Sequence, residues 1–265
     1  MVQVKDTSWS EVTEVTGTQV SAEQLSRFAQ RYGWAASRCR GRDVLEVACG
    51  SGQGLSALAG AARSVLACDL DPDLATKAAS AASGAVPVLV GPADALPCRS
   101  ASVDVVILFE AIYYLPETSA FFREAHRVLR PGGELLICTA NPSLWDFVSS
   151  PRSQRYFGVT ELAAELRASG FAPEFFGGVP VGSVSTRQRM LRPMKAAASK
   201  LGVVPGSMAA KQILKRFVFG QLVEMPADVD PAIVPWDEPS TIPESNDDHD
   251  HKVLFCAAQK QTGGN

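Results

Sequence analysis

Apolar residues in this chain are concentrated in short runs, separated by segments in which they recur every three or four positions. Short apolar runs bounded by turn residues are typical of buried strands, and the segments between them predict helices. Seven strands are predicted: Val44–Val47, Arg63–Cys68, Val86–Val90, Val103–Phe109, Glu134–Thr139, Phe171–Phe176 and Lys252–Ala258. This alternation indicates an α/β fold with a doubly wound, mostly parallel seven-stranded sheet.

Capping residues mark the predicted helix starts. Ser21 with Gln24 three positions on is a capping-box pattern, and it predicts a helix to about Ser37. Asp71 before Pro72 predicts an N-cap, and Thr160 is the expected cap of a later helix. In sheets of this kind ligands bind beyond the carboxyl ends of the strands, so the loops after the first five strands form the candidate site.

The chain divides into four predicted parts. They are an N-terminal arm and helix (1–40), an α/β core (41–180), an insertion (181–250), and a final strand and tail (251–265). The insertion is basic in its first half, carrying Arg187, Arg189, Arg192, Lys195, Lys200, Lys211, Lys215 and Arg216, and acidic and proline-rich from Glu224 to Asp250. It is interpreted either as a helical lid with a basic cap for an anionic substrate or as a solvated face balanced by the acidic stretch.

Composition narrows the function classes. A net charge of −3 with a pI near 5.7 argues against a general nucleic-acid-binding surface, and 46% apolar residues are enough for a packed core. Without a signal peptide or a membrane-crossing run, the predicted location is the cytoplasm. Six scattered cysteines without a Cys-x-x-Cys pair are interpreted as reduced core residues, and no metal is expected.

A glycine turn follows the first strand of the predicted core, with Gly50, Gly52 and Gly54 two positions apart. Glycines allow a tight turn and close approach of a ligand, and free amides there attract a negative group. A nucleotide triphosphate loop would need Gly-Lys-Ser/Thr, but Gly54 precedes Leu55-Ser56. A nicotinamide fingerprint needs a third small residue where Leu55 stands.

Four blocks in order resemble the class I S-adenosylmethionine-dependent methyltransferases, of the small-molecule or glycan type, over about Val44–Thr139. They are Glu46–Gly54, Cys68–Asp71, Gly91–Pro97, and Ser102–Glu110 followed by Leu129–Gly133. The resemblance implies a Rossmann-like methyltransferase fold, S-adenosylmethionine as cofactor and S-adenosylhomocysteine as product. In it the loop holds the methionine end, with amides receiving the carboxylate, while Asp69 binds the ribose, and Leu70, Asp94 and Ala95 contact the adenine. The expected cofactor-binding residues are Tyr32, Glu46, Ala48, Gly50, Gly52, Gly54, Asp69, Leu70, Asp94, Ala95 and Glu110.

Candidates for the methyl-transfer step follow the fourth core strand. Glu110 could accept a proton, and Tyr113 or Tyr114 could orient a hydroxyl, although all three could merely line the pocket. His249 precedes the last strand and is a further candidate base, with a polar strand entrance as the alternative. Acceptor specificity is expected after the fifth strand, where Asn141, Trp145, Phe147, Arg152, Arg155 and Tyr156 occur.

The predicted function is methyl transfer to a small-molecule or saccharide acceptor, most favourably at oxygen, with nitrogen or carbon as alternatives. An anionic acceptor is expected if the basic insertion faces it, whereas contact of that insertion with a membrane is less favoured. Glu110-Ala-Ile-Tyr113 stands where nucleic-acid methylating relatives carry an Asn/Asp-Pro-Pro-Tyr-like tetrapeptide, so DNA is not an expected partner. A cofactor-retaining docking protein and cyclisation chemistry are the alternatives, and the oligomeric state is left open.

Overall fold

The structure is a computed structural model that describes residues 9, 13, 15–150, 152–183, 222–233 and 235–262. The basic half of the predicted lid, including Arg187, Arg189 and Arg192, lies outside the described residues. The strands are β1 Gln19–Ser21, β2 Asp43–Val47, β3 Ser64–Asp69, β4 Val88–Val90, β5 Val103–Phe109, β6 Leu129–Ala140, β7 Phe171–Pro180, β8 Leu222–Glu224, β9 Ser240–Ile242 and β10 His251–Lys260. The α-helices are α1 Ala22–Cys39, α2 Leu55–Ala61, α3 Pro72–Ala81, α4 Thr118–Val128 and α5 Val159–Ala168.

One sheet of eight strands dominates the described part of the chain, in the order β4-β3-β2-β5-β6-β10-β7-β9. The strands from β4 to β6 pair in parallel, whereas β10 runs antiparallel to both β6 and β7. The predicted fold class is confirmed. The sheet has one more strand than expected. The additional strand is β9, which lies in the stretch assigned to the insertion and pairs with β7. A second, two-stranded sheet joins β1 to β8.

Both faces of the large sheet are covered, which explains why its strands are almost continuously apolar. Along β5 the side chains alternate, so that Val106 and Leu108 face one hydrophobic cluster while Val105 and Ile107 face the other. Phe121 and Phe122 of α4 are fully buried against the first face. Each such side chain stabilises the fold by about 1.5–3 kcal/mol relative to an exposed position.

The helix starts follow the predicted caps with one correction. Ser21 forms the expected capping box with Gln24, and the Asp71 carboxylate accepts from the amide of Asp73. The prediction that Thr160 caps the fifth helix is wrong, because α5 begins at Val159 after Gly158, which has no capping side chain. The carboxylate of Asp247 instead accepts from both the amide and the hydroxyl of Thr160.

The carboxyl ends of the parallel strands meet at one edge of the sheet, where the site is expected. At the opposite edge the Asp104 carboxylate accepts from the amide of Asp43 at 2.9 Å and from Arg130 at 2.7 Å. Asp104 therefore steadies the entrances of β2 and β5. Among the described residues, no helix combines the length and the apolar character needed to cross a bilayer.

Candidate active site

A cavity of about 640 Å³ opens at the carboxyl ends of the parallel strands. Its volume lies within the range of small-molecule sites. Of the residues expected to bind the cofactor, those lining the cavity are Tyr32, Ala48, Gly50, Asp69, Leu70, Asp94 and Glu110. Tyr113 and Tyr114 also line it. Glu46, Gly52, Gly54 and Ala95 are not among its lining residues.

Two non-glycine residues at the cavity have left-handed backbones. Ala48, just after β2, has φ of 55°, and Glu110, just after β5, has φ of 49°. Such a conformation costs an L-residue roughly 1–2 kcal/mol, so the surrounding structure must hold it in place. Because β2 and β5 are neighbours in the sheet, the two strained positions lie beside each other at the cavity edge.

Asp69 braces the glycine turn. Its carboxylate accepts from the amide of Gly50 at 2.8 Å and from that of Asp71 at 2.9 Å, while burial raises its pKa. The turn's other amides are used as well, since Cys49 donates to Cys68 and Gly52 donates to Cys49. These three turn amides therefore already have protein acceptors, and they lend no support to the expected capture of a ligand carboxylate.

Gly52 and Gly54 shape the turn through packing. A Cβ on Gly52 would lie 2.8 Å from the Cα of Ala78, and one on Gly54 would lie 2.0 Å from the Tyr32 ring. Gly52 also has φ of 81°. These glycines let α3 and the Tyr32 ring approach the turn, which is a different use from the ligand contact expected of them.

Glu46 is a buried acid behind the glycine turn. The Tyr32 hydroxyl donates to its Oε1 at 2.6 Å, and its Oε2 is buried with no hydrogen-bond partner within the described part of the chain. Burial raises the pKa of Glu46 to about 7, and the Asp69 charge acts in the same direction. Glu46 does not line the cavity, so the structure lends no support to its expected contact with the cofactor.

The wall beyond β3 and β4 combines apolar surface with hydrogen-bond acceptors. Leu70 is 54% exposed and lines the cavity with Leu74, Pro92 and the Asp94 carboxylate. Apolar faces flanked by carboxylates suit a nucleoside, because its base packs on apolar surface while its amine and sugar hydroxyls donate hydrogen bonds. Together with the Asp69 carboxylate, this combination of apolar surface and acceptors fits the nucleoside part of S-adenosylmethionine.

Glu110 is the centre of a polar cluster in the cavity. The Tyr113 hydroxyl donates to Glu110 Oε2 at 3.0 Å, and Arg31 lies 3.4 Å from Oε1. Burial and the Glu110 charge raise the pKa of Tyr113 well above its usual value, so its hydroxyl remains protonated. Tyr156 stacks on the Tyr113 ring at 4.4 Å and fixes its orientation.

His249 is not brought to this cluster. Its Nδ1 lies 2.8 Å from the carbonyl of Ser143, and its ring lines a separate surface cleft with Trp145 and Asp250. His249 is not among the residues that line the cavity, so the structure lends its predicted catalytic role no support. Among the described residues, no group of three or more His, Cys, Asp or Glu side chains is arranged to hold a metal ion.

The residues expected to set acceptor specificity are dispersed. Asn141 is buried and donates to Asp248 and to the carbonyl of His251, so it anchors the end of β6. Arg155 pairs with exposed carboxylates on α5, and Trp145 faces the separate cleft. Tyr156 reaches the site through its stack on Tyr113.

Other lining residues were not predicted. Among them are Trp9, Arg27, Arg31, Ser150, Gln154 and Lys252. Trp9 contacts two separate parts of the cavity wall. Its amide donates to Asp71 at 2.8 Å, and its ring lies 5.3 Å from that of Tyr114. The only sequence signal for any of them was on α1, where Arg27 and Arg31 are one turn apart beside the apolar stripe.

The sheet order and the cavity together define the Rossmann-like methyltransferase fold. Residues 45–137 match a family model described as a methyltransferase domain. The YcgJ protein of Bacillus subtilis has the same fold, with a TM-score of 0.58, 18% identity, and coverage of 88% of this chain and 99% of that one.

Curated proteins similar in sequence include a probable S-adenosylmethionine-dependent methyltransferase of Mycolicibacterium smegmatis, 40% identical over 54% of this chain and 57% of that protein. Another is phthiotriol/phenolphthiotriol dimycocerosates methyltransferase 1 of Mycobacterium ulcerans, 39% identical over 48% of this chain and 49% of that protein. The chain thus spans about half the length of these curated relatives. The matched stretch, residues 45–137, is similar to the methyltransferase domains of S-adenosylmethionine-dependent enzymes, which confirms the expected resemblance and the expected cofactor.

Proposed function

We propose that the protein transfers a methyl group from S-adenosylmethionine to a hydroxyl of a small-molecule or saccharide acceptor, releasing S-adenosylhomocysteine. The observation that carries the choice of oxygen is the Glu110–Tyr113 pair inside the cavity, next to the strained turn after β2. A neighbouring carboxylate is more useful to a hydroxyl, which must lose its proton, than to a carbon nucleophile.

The cofactor would be held in the half of the cavity that lies over β2, β3 and β4. Asp69 and Asp94 would accept from its hydroxyl and amine groups, and Leu70 would pack against its base. When bound, S-adenosylmethionine supplies an electrophilic methyl group. The protein's contribution is therefore placement of the acceptor oxygen and removal of its proton.

Glu110 and Tyr113 divide that contribution. The Glu110 carboxylate would accept the proton of the acceptor hydroxyl, and Arg31 beside its other oxygen stabilises the negative charge beforehand. Tyr113, kept protonated by burial, would donate a hydrogen bond that orients the carboxylate or the acceptor. The relative named for phthiotriol dimycocerosates supports an acceptor that carries alcohol groups. The cytoplasm remains our proposed location.

The test is a labelled-methyl assay over acceptors that offer oxygen, nitrogen or carbon, with Glu110→Gln and Tyr113→Phe. We expect oxygen acceptors to be methylated, Glu110→Gln to lower kcat at least about 100-fold, and S-adenosylhomocysteine affinity by calorimetry to change much less. Glu161→Gln, at an exposed carboxylate on α5, is the control and should retain full activity. Wild-type kcat in both variants would remove the pair from the mechanism, and cofactor binding without turnover on any acceptor would favour a docking protein.

A further inference from the structure

Two cations meet at the end of the cavity that is remote from the cofactor half. Arg27 on α1 and Lys252 at the start of β10 both line the cavity. Both contact the same atom, Glu23 Oε1, at 2.5 Å. Glu23 is not among the lining residues, so the shared carboxylate lies behind its two cations and they stand between it and the cavity.

The carboxylate fixes this arrangement. Burial alone would raise the pKa of Glu23, but Arg27 and Lys252 lower it to about 2, so the anchor is ionised at any physiological pH. The Lys252 side chain is only 14% exposed, which limits the screening of its charge by water. In addition, Arg27 Nε is buried and finds no acceptor among the residues that the structure describes.

The position of the two cations separates them from the cofactor half. In the sheet β10 is three places from β2, and at about 4.8 Å per place it lies about 14 Å away. Glu110, on the loop after β5, lies between them. A molecule reaching from Glu110 toward β10 would thus place one end beside Arg27 and Lys252.

We infer that Arg27 and Lys252 form an oxyanion subsite that binds a carboxylate or phosphate group of the acceptor while its hydroxyl lies at Glu110. The link to the hydroxyl rests on the proposed function, whereas the binding of the anion does not. An arginine and a lysine that are held in position by one carboxylate suit the binding of an oxyanion, because charge-assisted hydrogen bonds to it are stronger than neutral ones. The cofactor's own carboxylate has the same chemistry and is the competing source of the anion.

The experiment measures binding of benzoate, inorganic phosphate and neutral benzamide to the full chain saturated with S-adenosylhomocysteine, by calorimetry at constant ionic strength. We expect benzoate or phosphate to bind more tightly than benzamide. Arg27→Gln and Lys252→Met should each weaken the anion about tenfold or more, leaving benzamide and S-adenosylhomocysteine within twofold of wild type. Arg27→Lys, which keeps the charge, should bind the anion more tightly than Arg27→Gln and retain most of the wild-type affinity.

Matched controls are Arg123→Gln and Lys77→Met, which remove exposed cations on α4 and α3 and should change nothing. The proposal fails if wild type binds the anions no better than benzamide, if the controls lose as much affinity, or if Arg27→Gln and Lys252→Met weaken S-adenosylhomocysteine instead. Anion binding in a chain that methylates no hydroxyl would keep the subsite and refute the proposed function. Methylation of neutral alcohols without anion binding would support the proposed function and refute the subsite.

Discussion

At the scale of single residues, the site contains an acid placed where ionisation is costly. Glu46 is fully enclosed between Tyr32 and the glycine turn, with one oxygen bonded to the Tyr32 hydroxyl. Burial holds its pKa at about 7, above the range of an exposed glutamate. A group that binds its proton more tightly when folded stabilises the fold only while it is protonated.

The raised pKa of Glu46 predicts how the free energy of unfolding depends on pH. As pH rises from about 4.5 to 7, the unfolded chain loses the Glu46 proton while the folded protein keeps it, so the free energy of unfolding of wild type falls. Glu46→Gln cannot ionise, so its free energy of unfolding should not fall in this way. Between pH 4.5 and 8 the difference between the variant and wild type should shift in favour of the variant by roughly 3 kcal/mol. Urea denaturation at several pH values measures this. Glu161→Gln, at an exposed site, should follow wild type, and parallel curves for Glu46→Gln would show that Glu46 has an ordinary pKa.

At the scale of elements, α1 carries a segment from the far end of the chain. Gly33 lies against the Trp236 ring, Gln30 donates to the carbonyl of Asp237, and the Trp236 indole donates to the carbonyl of Pro231. The described part of the predicted acidic stretch is thus docked on the helix that also carries Tyr32 and Arg27.

This packing predicts a large difference between two glycines in helices. A Cβ at Gly33 would lie 2.2 Å from the Trp236 ring, whereas one at Gly60 on α2 would meet nothing within 4 Å. Gly33→Ala should therefore destabilise the protein by about 1–3 kcal/mol and speed hydrogen exchange around Trp236. Gly60→Ala should be neutral or stabilise by up to about 1 kcal/mol. Equal stability of the two variants would mean that Trp236 does not occupy this position.

Elements were predictable where the chain's own pattern determines them. Val103–Phe109 could be identified as a strand because both of its faces are buried, and Asp71 as a cap because its partners are two and three residues away. Three-residue strands such as Ser240–Ile242 are too short to show a period. The cap supplied to Thr160 by Asp247 comes from 87 residues away, and local sequence contains no sign of it. Asp69 could be located by its motif, whereas Trp9 and Lys252 reach the cavity only through tertiary folding.

At the scale of the whole molecule, the sheet order sets the two halves of the site. Strands β2, β3 and β4 carry the groups suited to the cofactor, β6 and β10 border the other half, and β5 brings Glu110 between them. Helix α1 spans both halves, with Tyr32 against the glycine turn and Arg27 beside Lys252. Ligand binding in either half should therefore stabilise the whole fold.

Cofactor binding should appear as a rise in melting temperature. At 100 times its dissociation constant, S-adenosylhomocysteine should add about 2.7 kcal/mol of stability and raise Tm by about 5–10 °C. Asp69→Asn should cut that rise by at least half at the same ligand concentration, while Asp73→Asn, exposed on α3, should keep it. Because Asp69 also braces Gly50 and Asp71, the ligand-free Tm must be measured as well. A variant that loses ligand-free stability but keeps the full ligand-induced rise would show that Asp69 acts on the turn alone and does not contact the ribose.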